Sequence, residues 1–257
     1  MAVKVYNEEI IKQYGTDPRH FPIYGLGEAS RYLKINPVTL RSWIMGRNYK
    51  LDDGSEKWWP PVIELADSTQ LRLSFFNLVE VHVLSAIRRV HKVRFPKVRS
   101  ALNYLKHNYS EAHPLANRDF WTDRFDLFIR ESGDLICASQ FGQQVIKEAV
   151  DQYLTRVERD LDLSPLRLYP FSREIVLGFG KNEHRPVELK NTPKSILIDP
   201  LVAFGRPTLA GTGIPTNVIA GRFIAGENSK AIARDYDIEE KQVKEALDYE
   251  EVFRRAA

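Results

Sequence analysis

A single cysteine, Cys137, stands in the whole 257-residue chain. No intrachain disulfide can form, and a zinc site built from several cysteines of one chain is excluded. Long apolar runs are missing too: none approaches the ~18 residues that a membrane span needs. The opening MAVKVYNEEIIKQYG is short, charged and amphipathic, without the apolar core and small-residue cleavage site of a secretion signal. A cytoplasmic protein with no membrane partner is expected. Signatures of chemistry are equally scarce. His20, His82, His91, His107, His113 and His184 are scattered, with no HxxxH or HExxH spacing. No phosphate-binding loop or GxGxxG occurs, and Gly178-Phe179-Gly180 reads as a turn after a strand. Cys137 falls in a strand pattern, where a small buried apolar role outweighs that of a nucleophile. Asp123 and Asp126 flank an aromatic-rich run as surface carboxylates often do. The expectation is a protein with no catalytic residues, no metal and no cofactor.

What is present is a telling placement of charge. The net charge is only +3, yet residues 20–106 carry fourteen Lys/Arg against seven Asp/Glu. Residues 107–193 carry eleven against fourteen, and residues 194–257 nine against ten. The basic excess therefore lies in one stretch, as a phosphate-binding module requires. Three regions are expected: a head at 20–106, an α+β connector at 107–193 with a possible dimerisation role, and a tail at 194–257.

In the head, Leu26, Ala29 and Leu33 line one face of a helix over 26–33. Ser30 is small where a second helix would cross, and Ile35 plugs the turn. Asn36 offers a capping oxygen and Pro37 sits at the first helical position, two independent start signals. The second helix, 37–45, buries Leu40, Ile44 and part of Trp43, leaves Val38, Thr39, Arg41 and Ser42 more open, and stops at Gly46. Short polar residues and one Arg near a helix start suit the major groove of DNA. Next, 62–65 and 71–73 are strand candidates around Asp67-Ser68, a β-wing that would let Arg72 reach a phosphate. Ser74 caps a long helix over 75–93; Phe95-Pro96 breaks it, and 97–105 forms another.

These residues resemble the MerR-type winged helix-turn-helix. YGLGEASRYLKINPVTLRSW follows that family's opening pattern without a gap, and LRLSFFNLVEVHVLSAIRR follows its wing-to-helix segment. One departure is Lys34, where MerR-like proteins usually place Gly in the turn. The long dimerising coiled coil and cysteine metal sensor of many members are absent. The expected DNA contacts are Thr39, Arg41 and Ser42 at base edges and Lys34, Arg47 and Arg72 on phosphates, with Asn36 a further candidate. The other reading is a small helical fold with a solvated basic face.

The connector holds a hairpin pattern (126–130 and 134–138 around Glu131-Ser132-Gly133). A helix over 143–158 follows, with Ile146, Val150, Tyr153, Val157 and Leu161 on one face. Pro165 and Pro170 end it, and REIVLGF and PVELKNTP look like further strands. A homodimer is expected because helix-turn-helix proteins usually bind paired half-sites.

The tail opens with a strand over 195–198. Pro200, Gly205, Pro207, Gly211, Gly213 and Pro215 then punctuate a compact loop. Three helices follow: from Thr216 to about Ala225, Lys230 to Asp235 capped by Ser229, and about Glu239 to Phe253. IDP, FGRP, GTGIPT, IARDYDI and VKEALDYE closely resemble a small bacterial domain of unknown function known as a VapB-like antitoxin helix-turn-helix. Many members have Arg at the position of Gly213. Head, connector and tail together look like the longer VapB-type antitoxins. That resemblance implies two partners: operator DNA and a PIN-like ribonuclease toxin. The last helix carries Glu239, Glu240, Glu245, Asp248, Glu250 and Glu251 against two lysines, a composition that phosphate would repel. An acidic surface would suit a basic RNA-binding cleft; the alternative is a solvated helix closing a structural domain. Candidate toxin contacts are Phe204, Arg206, Gly211, Thr212, Glu240 and Glu245. The expected fold is mainly α with small β elements. The expected function is an antitoxin that binds operator DNA; the alternative is a free-standing MerR-like regulator with an oligomerisation or ligand-binding tail.

Overall fold

A computed structural model describes residues 8–50, 54–89, 99, 102, 113–117, 150–172 and 192–251. Across them the chain is mainly helical, with small two-stranded antiparallel ribbons between the helices. Helix α1 (Glu8–Tyr14) and a helical turn at Pro18–His20 lead into β1 (Tyr24–Gly25). The hairpin expected within 126–138, Cys137, Gly178–Gly180 and most of the two strands after Phe171 lie outside the described residues.

The helix-turn-helix forms where its local signals place it. Helix α2 (Leu26–Leu33) starts at Gly25, whose N–H donates to Glu28 Oε2 at 2.9 Å. Lys34 ends it in the left-handed region, at φ 53 and ψ 46. Ser30 and Ile35 close the turn: Ile35 N donates to Ser30 O at 3.0 Å, and Ser30 Oγ to Ile35 O at 2.5 Å. Asn36 Oδ1 accepts the Val38 N–H at 2.9 Å, satisfying one of the free donors at the start of α3 (Pro37–Met45). Leu40, Trp43 and Ile44 are buried beneath it.

The wing is not where alternation suggested. Strands β2 (Arg47–Lys50) and β3 (Glu56–Trp59) form the hairpin directly after α3, in register from Arg47↔Trp59 to Lys50↔Glu56. Residues 62–65 are no strand. Val62 and Ile63 are buried in a loop, and both N–H groups donate to the Trp43 carbonyl, at 2.7 and 3.2 Å. Pro60-Pro61 ahead of them cannot donate to a ladder. Only Arg72 and Leu73 of the second candidate are extended; as β4 they pair with β1, Tyr24↔Leu73 and Gly25↔Arg72. The Asp67 turn does form, with Oδ1 accepting from Thr69 and Gln70.

Ser74 and Asn77 cap α4 (Phe75–Arg89) reciprocally: Asn77 N donates to Ser74 Oγ at 3.2 Å, and Ser74 N to Asn77 Oδ1 at 3.1 Å. Leu78, Val79, Val81, Val83, Leu84, Ala86 and Ile87 are all fully buried. An apolar helix buried on every side is a core element rather than a dimerisation seam. Its cluster runs from Tyr24 through Leu102, Leu115, Val150 and Tyr153 to Leu168, Phe171 and Ile198, so head and connector residues share one core.

Residues 150–154 are helical, but the helix does not reach Glu158. Val157 lies in β5 (Val157–Arg159), paired with β6 (Pro165–Leu168), and Leu161 is fully exposed at the tip between them. Val157 fits a 3.6-residue and a strand pattern equally. The decision falls to Asp160, whose Oδ1 accepts the N–H of Asp162 and of Ser164 and so folds the tip. Arg19 Nη1 reaches Asp160 at 2.7 Å, and the Tyr169 hydroxyl donates to Glu158 at 2.6 Å. The Arg19 bond holds Asp160 below the usual carboxylate range, and the Tyr169 bond does the same for Glu158. A depressed folded value gives stability that is present above the ordinary carboxylate pKa and lost as pH falls through the folded one. The urea midpoint is therefore expected to drop below about pH 4 as these two carboxylates protonate. Arg19→Met should shrink the difference between midpoints at pH 6 and pH 3; an unchanged difference would remove Arg19 from the account.

The tail has its own core of Ile196, Leu209, Ile219, Ala220, Ile232, Ala233, Val243, Ala246, Leu247 and Tyr249. Strands β7 (Ile196–Leu197) and β8 (Thr208–Leu209) pair, and helices α5 (Thr216–Ile224), α6 (Ser229–Asp235) and α7 (Glu240–Tyr249) follow. The cap of α6 is Asn228, which accepts the Ala231 N–H at 2.9 Å, rather than Ser229. Ser229 is already helical, and its hydroxyl donates to Glu240 instead.

Candidate nucleic-acid interface

The outer face of α3 is open. Val38 is 69% exposed, Arg41 is exposed, and Thr39 and Ser42 are half-buried. Arg41 projects as a free fork of donors suited to base edges. Ser42 is less available: its hydroxyl donates to Thr39 O at 2.7 Å, and its carbonyl accepts from Arg99 at 3.4 Å. Asn36 spends its carbonyl oxygen on the cap and keeps its amide hydrogens for a partner. Arg47 begins β2, its guanidinium 4.0 Å over the Tyr49 ring. Arg72 is exposed beside β1 and donates to Ile23 O at 3.3 Å.

The true hairpin adds residues that sequence reading missed. Lys50 and Lys57 are exposed on it, and Trp58 is 55% exposed. The signal was in NYKLDDGSEKWW, where Asp-Asp-Gly supplies a turn between two short β-prone runs. Arg47, Lys50 and Lys57 place further positive charge beside α3.

Lys34 requires correction. It is not a surface cation here, for its side chain is only 4% exposed. The ammonium donates to the Tyr249 carbonyl, lies 3.4 Å from Glu251 Oε1, and sits 4.5 Å from the Tyr249 ring centroid. Burial pushes its pKa down, opposed by Glu251. Beside it Arg31 approaches Glu250 at 3.7 Å, and the Tyr249 hydroxyl donates to Tyr32 O at 2.9 Å. The end of α7 is thus seated on the end of α2. Glu250 also accepts the Thr216 hydroxyl at 2.6 Å, tying this seam to the start of α5.

A second contact joins tail to head. Ala203, Phe204 and Gly205 all have positive φ, at 48°, 57° and 72°, a left-handed turn costly for the first two. A Cβ on Gly205 would lie 2.2 Å from the Tyr24 hydroxyl, so the turn meets the head where only glycine fits. Phe204, Gly205 and Arg206 line a cavity of about 190 Å³ with Ile23, Tyr24, Glu28 and Tyr32. Phe204 remains 60% exposed. The structure thus brings Phe204 and Arg206 together. Gly211 and Thr212 lie in the turn after β8, where Thr212 Oγ1 donates to Leu209 O and accepts from Ile214 N. Glu240 and Glu245 lie on α7; Glu240 is held by Lys244 at 2.9 Å and by Ser229 at 2.9 Å, while Glu245 is half-buried. Among the described residues no group of three His, Cys, Asp or Glu could hold a metal, and no helix is long and apolar enough to cross a membrane.

Residues 22–102 match the family described as "Putative DNA-binding HTH domain", and residues 196–249 match "Protein of unknown function (DUF433)". The chain is 28% identical to "Putative antitoxin VapB45" of Mycobacterium tuberculosis, over 88% of this chain and 93% of that protein. It is 25% identical to "Uncharacterized protein Rv2308" of the same organism, over 91% and 92% of the two chains. The crystal structure of Rv2018 from M. tuberculosis has the same fold, with a TM-score of 0.57 at 24% identity, covering 88% of this chain and 97% of that one.

Proposed function

We propose that this chain is a DNA-binding antitoxin whose helix-turn-helix reads operator DNA and whose tail contacts a toxin. The observation that carries the DNA half is the exposed face of α3, capped at Asn36-Pro37 and flanked by the cations of the wing. In this reading Arg41 and Thr39 meet base edges, with Ser42 and Asn36 at the margin. Arg47, Lys50, Lys57 and Arg72 lie along the phosphates. Operator half-sites are read by a homodimer. No residue is assigned a catalytic role.

The antitoxin half is supported by the full-length similarity to a protein named as an antitoxin. We place the toxin on the tail, at the left-handed turn that presents Phe204 beside Arg206. The Gly211-Thr212 turn and Glu245 of α7 would extend that surface, with Glu240 engaged internally. The toxin in this reading is a PIN-like ribonuclease, its cleft covered sterically and its substrate charge matched by carboxylates.

Arg41→Ala is expected to weaken binding to the operator by about 1–3 kcal/mol with the melting temperature unchanged. Fluorescence anisotropy on the duplex upstream of the gene measures it; undiminished affinity would take Arg41 off the reading surface. Co-expression of the tagged chain with the products of its two flanking genes tests the rest. Co-purification of a small nuclease that is toxic alone supports the antitoxin reading. DNA binding with no partner leaves a free-standing regulator.

A further inference from the structure

We propose that the end of the tail is an autoinhibitory clamp: it holds Arg31 and Lys34 in internal contacts and so limits how tightly the helix-turn-helix grips DNA. The inference rests on the DNA-reading assignment above. Lys34 lies two residues before Asn36, the cap of α3, and Arg31 lies one helical turn before it. Both would flank the path of a phosphate strand past the start of the reading helix. In this structure the Lys34 ammonium is enclosed and unavailable to a phosphate, while Arg31 is 41% exposed and only partly engaged. The Lys34 ammonium is enclosed by the Tyr249 carbonyl, the Glu251 carboxylate and the Tyr249 ring. Arg31 faces Glu250, and its guanidinium lies 5.2 Å over the Tyr32 ring.

The clamp suits a two-state device. A buried ammonium is tolerated only while its partners stay in place. Those partners are Tyr249, the last residue of α7, and the two residues after it, and Glu251 is itself partly exposed. Lifting this short segment would return the Lys34 ammonium to the surface, release Arg31 from Glu250, and leave Glu250 and Glu251 to solvent. DNA gains contacts only in the lifted state. Apparent affinity therefore scales with the fraction lifted. Whatever binds the tail and displaces residues 249–251 tightens DNA binding, and by reciprocity DNA loosens the clamp.

Two full-length variants weaken the clamp without touching the reading face. Tyr249→Phe removes the bond to Tyr32 O at no change of charge. Glu251→Gln removes the carboxylate at Lys34. Asp237→Asn, at an exposed turn, is the charge-matched control. Binding to the upstream duplex is measured across a salt series, with thermal melts confirming folding. Tyr249→Phe and Glu251→Gln are expected to tighten binding about fivefold, the worth of one net hydrogen bond. The slope of log K against log salt should steepen by about 1, one added phosphate contact. Adding Lys34→Met to either should erase the gain. Equal behaviour of Tyr249→Phe, Glu251→Gln, Asp237→Asn and the parent, with Arg41→Ala still weakening binding, overturns the clamp alone. No duplex binding by the parent or by either clamp variant overturns the DNA-reading assignment and the clamp with it.

Discussion

Gly46→Ala is expected to lower stability by about 3 kcal/mol or more and to unseat the wing. Gly46 has φ 74° and ψ −179°, a conformation essentially confined to glycine. It turns the chain from α3 directly into β2. An added Cβ would lie 2.4 Å from the Trp59 carbonyl oxygen and 2.8 Å from the Trp58 ring. The ring could rotate away. The carbonyl cannot, because residue 59 is in ladder register with Arg47. Both strain and clash therefore fall on the hairpin. For a chain of this size each kcal/mol moves the melting temperature by about 2–4 °C, so a drop of about 6–12 °C is expected. Indole fluorescence of Trp58 and Trp59 should shift at temperatures below the main transition. A variant that melts like the parent with unshifted fluorescence would show that the turn has an alternative path.

Arg156→Ala should be comparably severe, at about 3–5 kcal/mol. The guanidinium is buried and donates to four backbone carbonyls: Tyr169 at 2.6 Å, Thr192 at 3.1 Å, Pro170 at 3.3 Å and Pro193 at 2.9 Å. Its carbon lies 4.4 Å from the Phe171 ring centroid. Burial pushes its pKa down to about 10, so it remains charged at neutral pH. Truncation leaves buried acceptors without donors and opens a void against Phe171. Lysine cannot reproduce the fork, so Arg156→Lys should recover only part of the loss. Urea unfolding of the two variants measures the difference. Full recovery by lysine would mean that charge alone matters, and no loss with alanine would mean that water replaces the fork.

The helix-turn-helix was legible because its boundaries are written locally. Asn36, Pro37, Gly46 and Ser74 each act within a few residues of their own position. The wing was misplaced because the rule for strands favours apolar alternation. The hairpin strands RNYK and EKWW are largely polar and exposed, whereas Val62 and Ile63 look like a strand and are buried as loop. The connector helix was drawn too long since Val157 satisfies both periods, and only the Asp160 turn shows where the chain reverses. Lys34, expected on a phosphate, is instead a buried cation. Its partners lie at the far end of the chain, where no local pattern could reveal them.

That separation also sets a clock on synthesis. Lys34 and Tyr249 are 215 residues apart. At ~5–20 residues per second, roughly 10–45 s pass between the emergence of one and of the other. During that interval the helix-turn-helix is complete in sequence but lacks the residues that cover Lys34 and pair with Arg31. A nascent head is therefore more basic than the finished one. On the proposed reading its hold on nearby DNA is firmest before residues 249–251 are translated, for those are the residues that loosen it.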